Sequence, residues 1–139
     1  MYYELKENEL RQLERIEEQF MRKVLNTTKG CPITMLYLTL GHVPARFEIQ
    51  KMRILYLKYI LSQKEDSLVR AFFNLQVEIP TKGDWASRVI QDLKDLKISF
   101  TLKEIENMSY NQFKKIVKER IRKQAFIYLK EKIRSRERK

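Results

Sequence analysis

The chain has 139 residues, enough for one domain with a real core, and its 43% hydrophobic content excludes wholesale disorder. Only three Gly and three Pro accompany abundant Leu, Ile, Lys and Glu, the make-up of a helical protein with short connections. The net charge of +11 is uneven: residues 101–139 hold thirteen Lys or Arg against five Glu, and 44–63 hold four against one. Residues 1–43 and 64–100 each balance at six against six, so the excess marks particular surfaces and points to an anionic partner.

Leu10, Leu13, Ile16, Phe20, Met21 and Val24 recur at steps of three and four, predicting an amphipathic helix over about residues 4–26. Asn26 to Gly30 ends it. Pro32 sits where a first helical residue belongs, and a short helix through Met35, Leu36, Leu38 and Leu40 is expected to stop at Gly41. Pro44 opens a helix over about residues 44–63, whose second half, Ile54 to Leu61, is apolar on nearly every side and predicts the buried centre of a bundle.

Asp66 or Ser67 caps a helix through Leu68, Val69, Phe72, Phe73 and Leu75, and residues 77–83 form the longest loop. Asp84 caps a helix from Trp85 to about Leu96, expected to bury Trp85, Val89, Ile90 and Leu93. Two capping boxes follow, Thr101 with Glu104 and Ser109 with Gln112, each with an apolar staple across it. The last helix is expected from Tyr110 to about residue 133, with 134–139 frayed. The prediction is a single all-α domain over 1–139: an irregular bundle of six or seven helices with a long basic C-terminal helix.

Catalytic signals are weak. Cys31 and His42 are the only Cys and His, too few for a structural zinc site, and no third group orients them as a nucleophile pair. Asp92 and Asp95 share a helix face with Lys94 and Lys97 alternating, which reads as a solvated face. No phosphate-cradling glycine loop is present, so no enzyme and no cofactor are expected. One cysteine fits a reducing compartment, and no apolar run follows a basic start at Met1, so no signal peptide is expected. No stretch is long enough to cross a bilayer, and the expected location is intracellular, cytoplasm or nucleus.

The charge itself supplies the candidate site. On the last helix Phe113, Val117 and Ile121 mark one side, and Lys115, Lys118 and Arg122 fall opposite, flanked by Lys114 and Lys123. Such a stripe binds phosphates through counterion release, without sequence preference. Arg46, Lys51, Arg53 and Lys58 form a second basic group, with Arg46 and Arg53 on one face. They extend the basic surface or lay their stems over a core helix, and the sequence leaves both open. Most of the fifteen aromatic residues fall on apolar stripes and are expected in the core, with Tyr2, Tyr3 and Tyr110 outside.

Several segments in order carry a family resemblance: Gly30-Cys31-Pro32, Leu36 to Gly41, Pro44-Ala45-Arg46, Arg53 to Leu61, Lys82 to Trp85, Met108-Ser109 with Phe113-Lys114 and Val117-Lys118, and Ala125-Phe126 with Tyr128-Leu129. Together they resemble the segment downstream of the reverse transcriptase domain in polyproteins of some animal non-LTR retrotransposons. The resemblance spans about residues 10–133 and implies an accessory region that helps a reverse transcriptase hold RNA or DNA. Thr39 departs from it, standing where Glu is expected, and the polymerase carboxylates and any zinc knuckle are absent. The expected function is a non-catalytic nucleic-acid-binding module, with a helical protein–protein adaptor as the alternative and a membrane-surface helix as a further rival. RNA and DNA are not distinguished, nor is the oligomeric state.

Overall fold

The computed structural model describes residues 6–25, 35, 37, 42–81 and 83–137. Among them are six helices and no strand: α1 (Glu7–Val24), α2 (Ala45–Leu61), α3 (Leu68–Glu78), α4 (Trp85–Asp95), α5 (Leu102–Asn107) and α6 (Tyr110–Glu137). The all-α expectation holds. The last helix runs past residue 133 to Glu137, and the third keeps its turns to Glu78 into the segment expected as loop. Met35 and Tyr37 are helical, while the rest of the predicted short helix, Cys31, Thr39, Lys82, Tyr2 and Tyr3 lie outside the described residues.

The expected caps form. Ser67 Oγ accepts the Arg70 N–H, and Asp84 accepts the N–H groups of Ser87 at 2.8 Å and Thr81 at 2.9 Å. Those bonds, that from Thr81 first, hold the Asp84 carboxyl below its ordinary value. Thr101 and Glu104 close a reciprocal box, and Ser109 Oγ accepts the Gln112 N–H. After α4 the chain turns through Lys97, at φ 58°, with Ile98 N–H bonded to Leu93 O and Lys97 N–H to Lys94 O. This is the double bond that closes a helix through a left-handed residue, normally glycine.

The chain divides into two compact units, Met1–Ile49 with Arg122–Lys139, and Gln50–Ile121. In the first, Met21, Tyr37 and Leu129 form the core, with Leu25 and Tyr128 packed on it. Glu14 lies in the same unit, 3% exposed, accepting from Arg46 Nε and from the Tyr128 hydroxyl at 2.9 Å. Arg46 also reaches Glu7 at 3.0 Å and lies over the Tyr128 ring, 4.6 Å from its centroid. Pro44, at the entrance to α2, has no side-chain oxygen to cap with. Glu17 does so from α1, accepting the Ala45 N–H at 2.7 Å while its other oxygen holds His42.

In the second unit Ile54, Leu57, Ile60 and Leu61 of α2 are buried with Phe73, Val89, Leu93, Ile105, Phe113 and Val117. Three charged side chains are buried among them. Lys58 Nζ donates to Ile105 O and Glu106 O at 2.7 and 3.0 Å, satisfying carbonyls at the C-terminal end of α5. Arg70 Nη1 donates to Leu61 O at 2.9 Å, doing the same for α2. Asp92 binds Arg53. Tyr56 and Tyr59 are exposed and stacked, ring centroids 5.6 Å apart, and Trp85, expected in the core, is half-buried with its ring edge-on to Tyr56. α2 is therefore buried on one side rather than on all.

Two outcomes test these features. Lys97→Gly should raise the stability of the chain by about 1 kcal/mol in thermal or urea unfolding, because a side chain in the left-handed region costs about that much. The Tyr128 phenol is pushed up to about 12, first by burial and then by the Glu14 carboxylate. Its contribution is thus intact below the ordinary value of 10 and lost as pH rises through 12. The alkaline fall in melting temperature should be shallower in Tyr128→Phe over that window.

Candidate nucleic-acid interface

The basic face of α6 is set by what the rest of the helix buries. Phe113, Val117, Ile121, Ala125 and Leu129 are all buried, a strict repeat of four residues. Each step of four advances about 40° on a helix of 3.6 residues per turn, so the buried face turns through roughly 160° over its length. Lys115, Lys118 and Arg122 are all exposed, lie within an arc of about 60° and along about 10 Å of helix, and average about 130° from the first half of that face. The turning of the buried face limits this stripe to two turns. Lys123 is also exposed on the flank, while Lys114 is half-buried with its Nζ 5.8 Å above the Tyr110 ring.

Among the described residues no ion pair engages Lys115, Lys118, Arg122 or Lys123. Their charge is therefore available to a ligand, and Arg brings a planar donor fork suited to phosphate where Lys brings a point charge.

The second basic group behaves differently. Arg46 is engaged by Glu14 and Glu7. Arg53 donates through Nε to Asp92 at 2.6 Å and through Nη2 at 3.1 Å, and its side chain is 11% exposed. Lys58 is buried on the end of α5. The structure thus places Arg46 and Arg53 in internal pairs and does not bring them onto the exposed stripe. Asp92, expected on a solvated face with Asp95, is fully buried, and its carboxyl is pushed up by burial against the pull of Arg53. Asp95 is exposed and accepts from Gln91 at 2.9 Å.

Among the described residues no group of three or more His, Cys, Asp or Glu is placed to hold a metal ion. None of the helices is long and apolar enough to cross a membrane. A cavity of about 610 Å³ in the second unit is lined by Leu61, Phe73 and Val77 with charges of both signs, Glu65, Glu78 and Glu106 beside Arg70 and Lys103. Comparison with known proteins finds no match: no family model fits the chain, and no curated protein or solved structure is similar to it.

The division of labour between the two groups is measurable. Arg53→Ala leaves the buried Asp92 carboxylate only Gln50 at 3.3 Å and Arg88 at 4.0 Å, and should lower stability by about 3 kcal/mol in urea unfolding. Lys115→Ala should change it by no more than about 0.5 kcal/mol.

Proposed function

We propose that the chain is a non-catalytic module that binds nucleic acid through the exposed face of α6. The observation that carries this reading is the set of cations at Lys115, Lys118 and Arg122, in register on one helix, exposed, and without acidic partners among the described residues. Lys123 and the edge of Lys114 widen it. Such a face neutralises phosphates and releases their counterions, giving affinity that falls steeply with salt and depends little on sequence. The resemblance to the region downstream of a retrotransposon reverse transcriptase supports the same reading, with RNA template or DNA target as the ligand and the polymerase as a neighbour.

An adaptor function is the second reading, and a specific observation favours it. Phe126 and Ile127 on α6 are exposed, as are Leu68, Phe72, Leu75 and Ile79 on and just after α3. Leu129, which a docking C-terminal helix would also present, is buried. The charge remains the stronger signal, since it is concentrated and open.

The test is charge reversal. Lys115→Glu, Lys118→Glu and Arg122→Glu together should abolish most binding to a single-stranded RNA at low salt while the melting temperature stays near that of the parent. Reversing one residue at a time should flatten the logarithmic salt dependence by about one unit for each phosphate no longer neutralised. A triple variant that binds RNA as well as the parent rejects this reading.

A further inference from the structure

Phe126 stands one turn beyond Arg122 on α6. Ala125 and Leu129 close to it are buried, yet Phe126 is exposed at 52%. Among the described residues no other ring and no cation–π pair engages it. A single exposed apolar side chain is ordinary. What surrounds this one is not.

Residues 122–130, Arg-Lys-Gln-Ala-Phe-Ile-Tyr-Leu-Lys, contain three cations and no acid. Arg122, Lys123 and Lys130 stand at i−4, i−3 and i+4 from Phe126, the positions that flank a residue on a helix surface. They lie about 4–6 Å from it along the axis and within about 60° of it round the helix. All belong to the unit that contains Arg122–Lys139. All three cations are exposed, and no ion pair engages them among the described residues. The other exposed phenylalanines are set differently. Phe72 has Leu68, Val69, Leu75 and Gln76 at the four flanking positions, and Phe20 has Ile16, Glu17, Lys23 and Val24.

We infer that Phe126 is a stacking platform for an unpaired nucleobase, with Arg122, Lys123 and Lys130 holding the phosphates on either side of it. This role rests on the reading of α6 as a nucleic-acid interface, and it gives that interface a preference for single strands. An unpaired base offers a flat face to the ring and brings its phosphates within reach of the cations, so stacking and charge neutralisation are satisfied together. In a duplex those faces are covered by neighbouring bases, and the phosphates alone remain to be bound. A protein partner packed on Phe126 would strip water from two lysines and an arginine at once, and lysine is depleted in the centres of such interfaces.

Filter binding of the full chain to a single-stranded RNA and to a blunt RNA duplex of the same length, over a series of salt concentrations, tests this. The parent should prefer the single strand. Phe126→Leu should weaken single-strand binding about tenfold, the loss of one stacked base, and leave duplex binding unchanged. Its logarithmic salt slope should match the parent's, because stacking releases no counterion. Phe126→Trp should bind the single strand as tightly as the parent. Lys130→Ala should instead flatten the slope by about one unit. Ile127→Ala, which removes an exposed apolar side chain beside Lys123 and Lys130, should bind as the parent does. Melting temperatures should stay near the parent's, since every altered side chain is exposed. If the parent binds RNA but Phe126→Leu binds the single strand equally well, or loses single strand and duplex alike, the stacking role is overturned and the charge-based reading survives. A parent that binds no RNA overturns both and leaves Phe126 and Ile127 to a protein partner.

Discussion

Short helices joined by short connections leave many backbone ends to satisfy, and this chain meets that constraint with charged side chains sent from neighbouring helices. Glu17 closes the N-terminus of α2, Arg70 its C-terminus, and Lys58 the C-terminus of α5. Each opposes the partial charge of the end it meets, a carboxylate at N–H groups and cations at carbonyls. A buried charge left alone would be costly, but one that replaces its hydration with backbone bonds is tolerated and fixes which helix end it accompanies. The same logic places the Glu14–Arg46–Tyr128 cluster in one unit and the Asp92–Arg53 pair in the other.

This use of charge decides what remains for a partner. The excess in residues 44–63 goes inward through Arg46, Arg53 and Lys58. The excess on α6 does not, because the buried face there is made by the apolar residues Phe113, Val117, Ile121, Ala125 and Leu129, and the cations Lys115, Lys118, Arg122 and Lys123 fall on exposed positions. Two groups that look alike in composition thus differ in physical role. One stabilises helix ends and buried carboxylates; the other is an open electrostatic surface.

Much of the helix order was legible in the sequence because it rests on local chemistry. Ser67, Asp84 and the Thr101–Glu104 box cap as local hydrogen-bonding rules require, and the basic stripe of α6 follows from helical periodicity. The partners of Arg46 and Arg53 were not legible, since Glu14 and Asp92 lie far away in the sequence and are recruited only by packing. Asp92 shows the difficulty plainly: its spacing with Asp95, Lys94 and Lys97 suits a solvated face, yet Arg53 holds it inside. The direction of an apolar stripe was likewise invisible. Periodicity locates the stripes of α1 and α3, but Glu14 and Arg70 find buried partners and turn those stripes outward.

The central claim, that the cations of α6 are free for phosphate while those of α2 are held inside, is tested most directly by lysine modification read residue by residue in the mass spectrometer. In the free protein Lys115, Lys118 and Lys123 should react readily and Lys58 should not. With a single-stranded RNA bound at low salt, Lys115 and Lys118 should become protected while Lys58 stays as unreactive as before. Fast modification of Lys58 in the free protein, or an RNA-bound state in which Lys115 and Lys118 react unchanged, would contradict it.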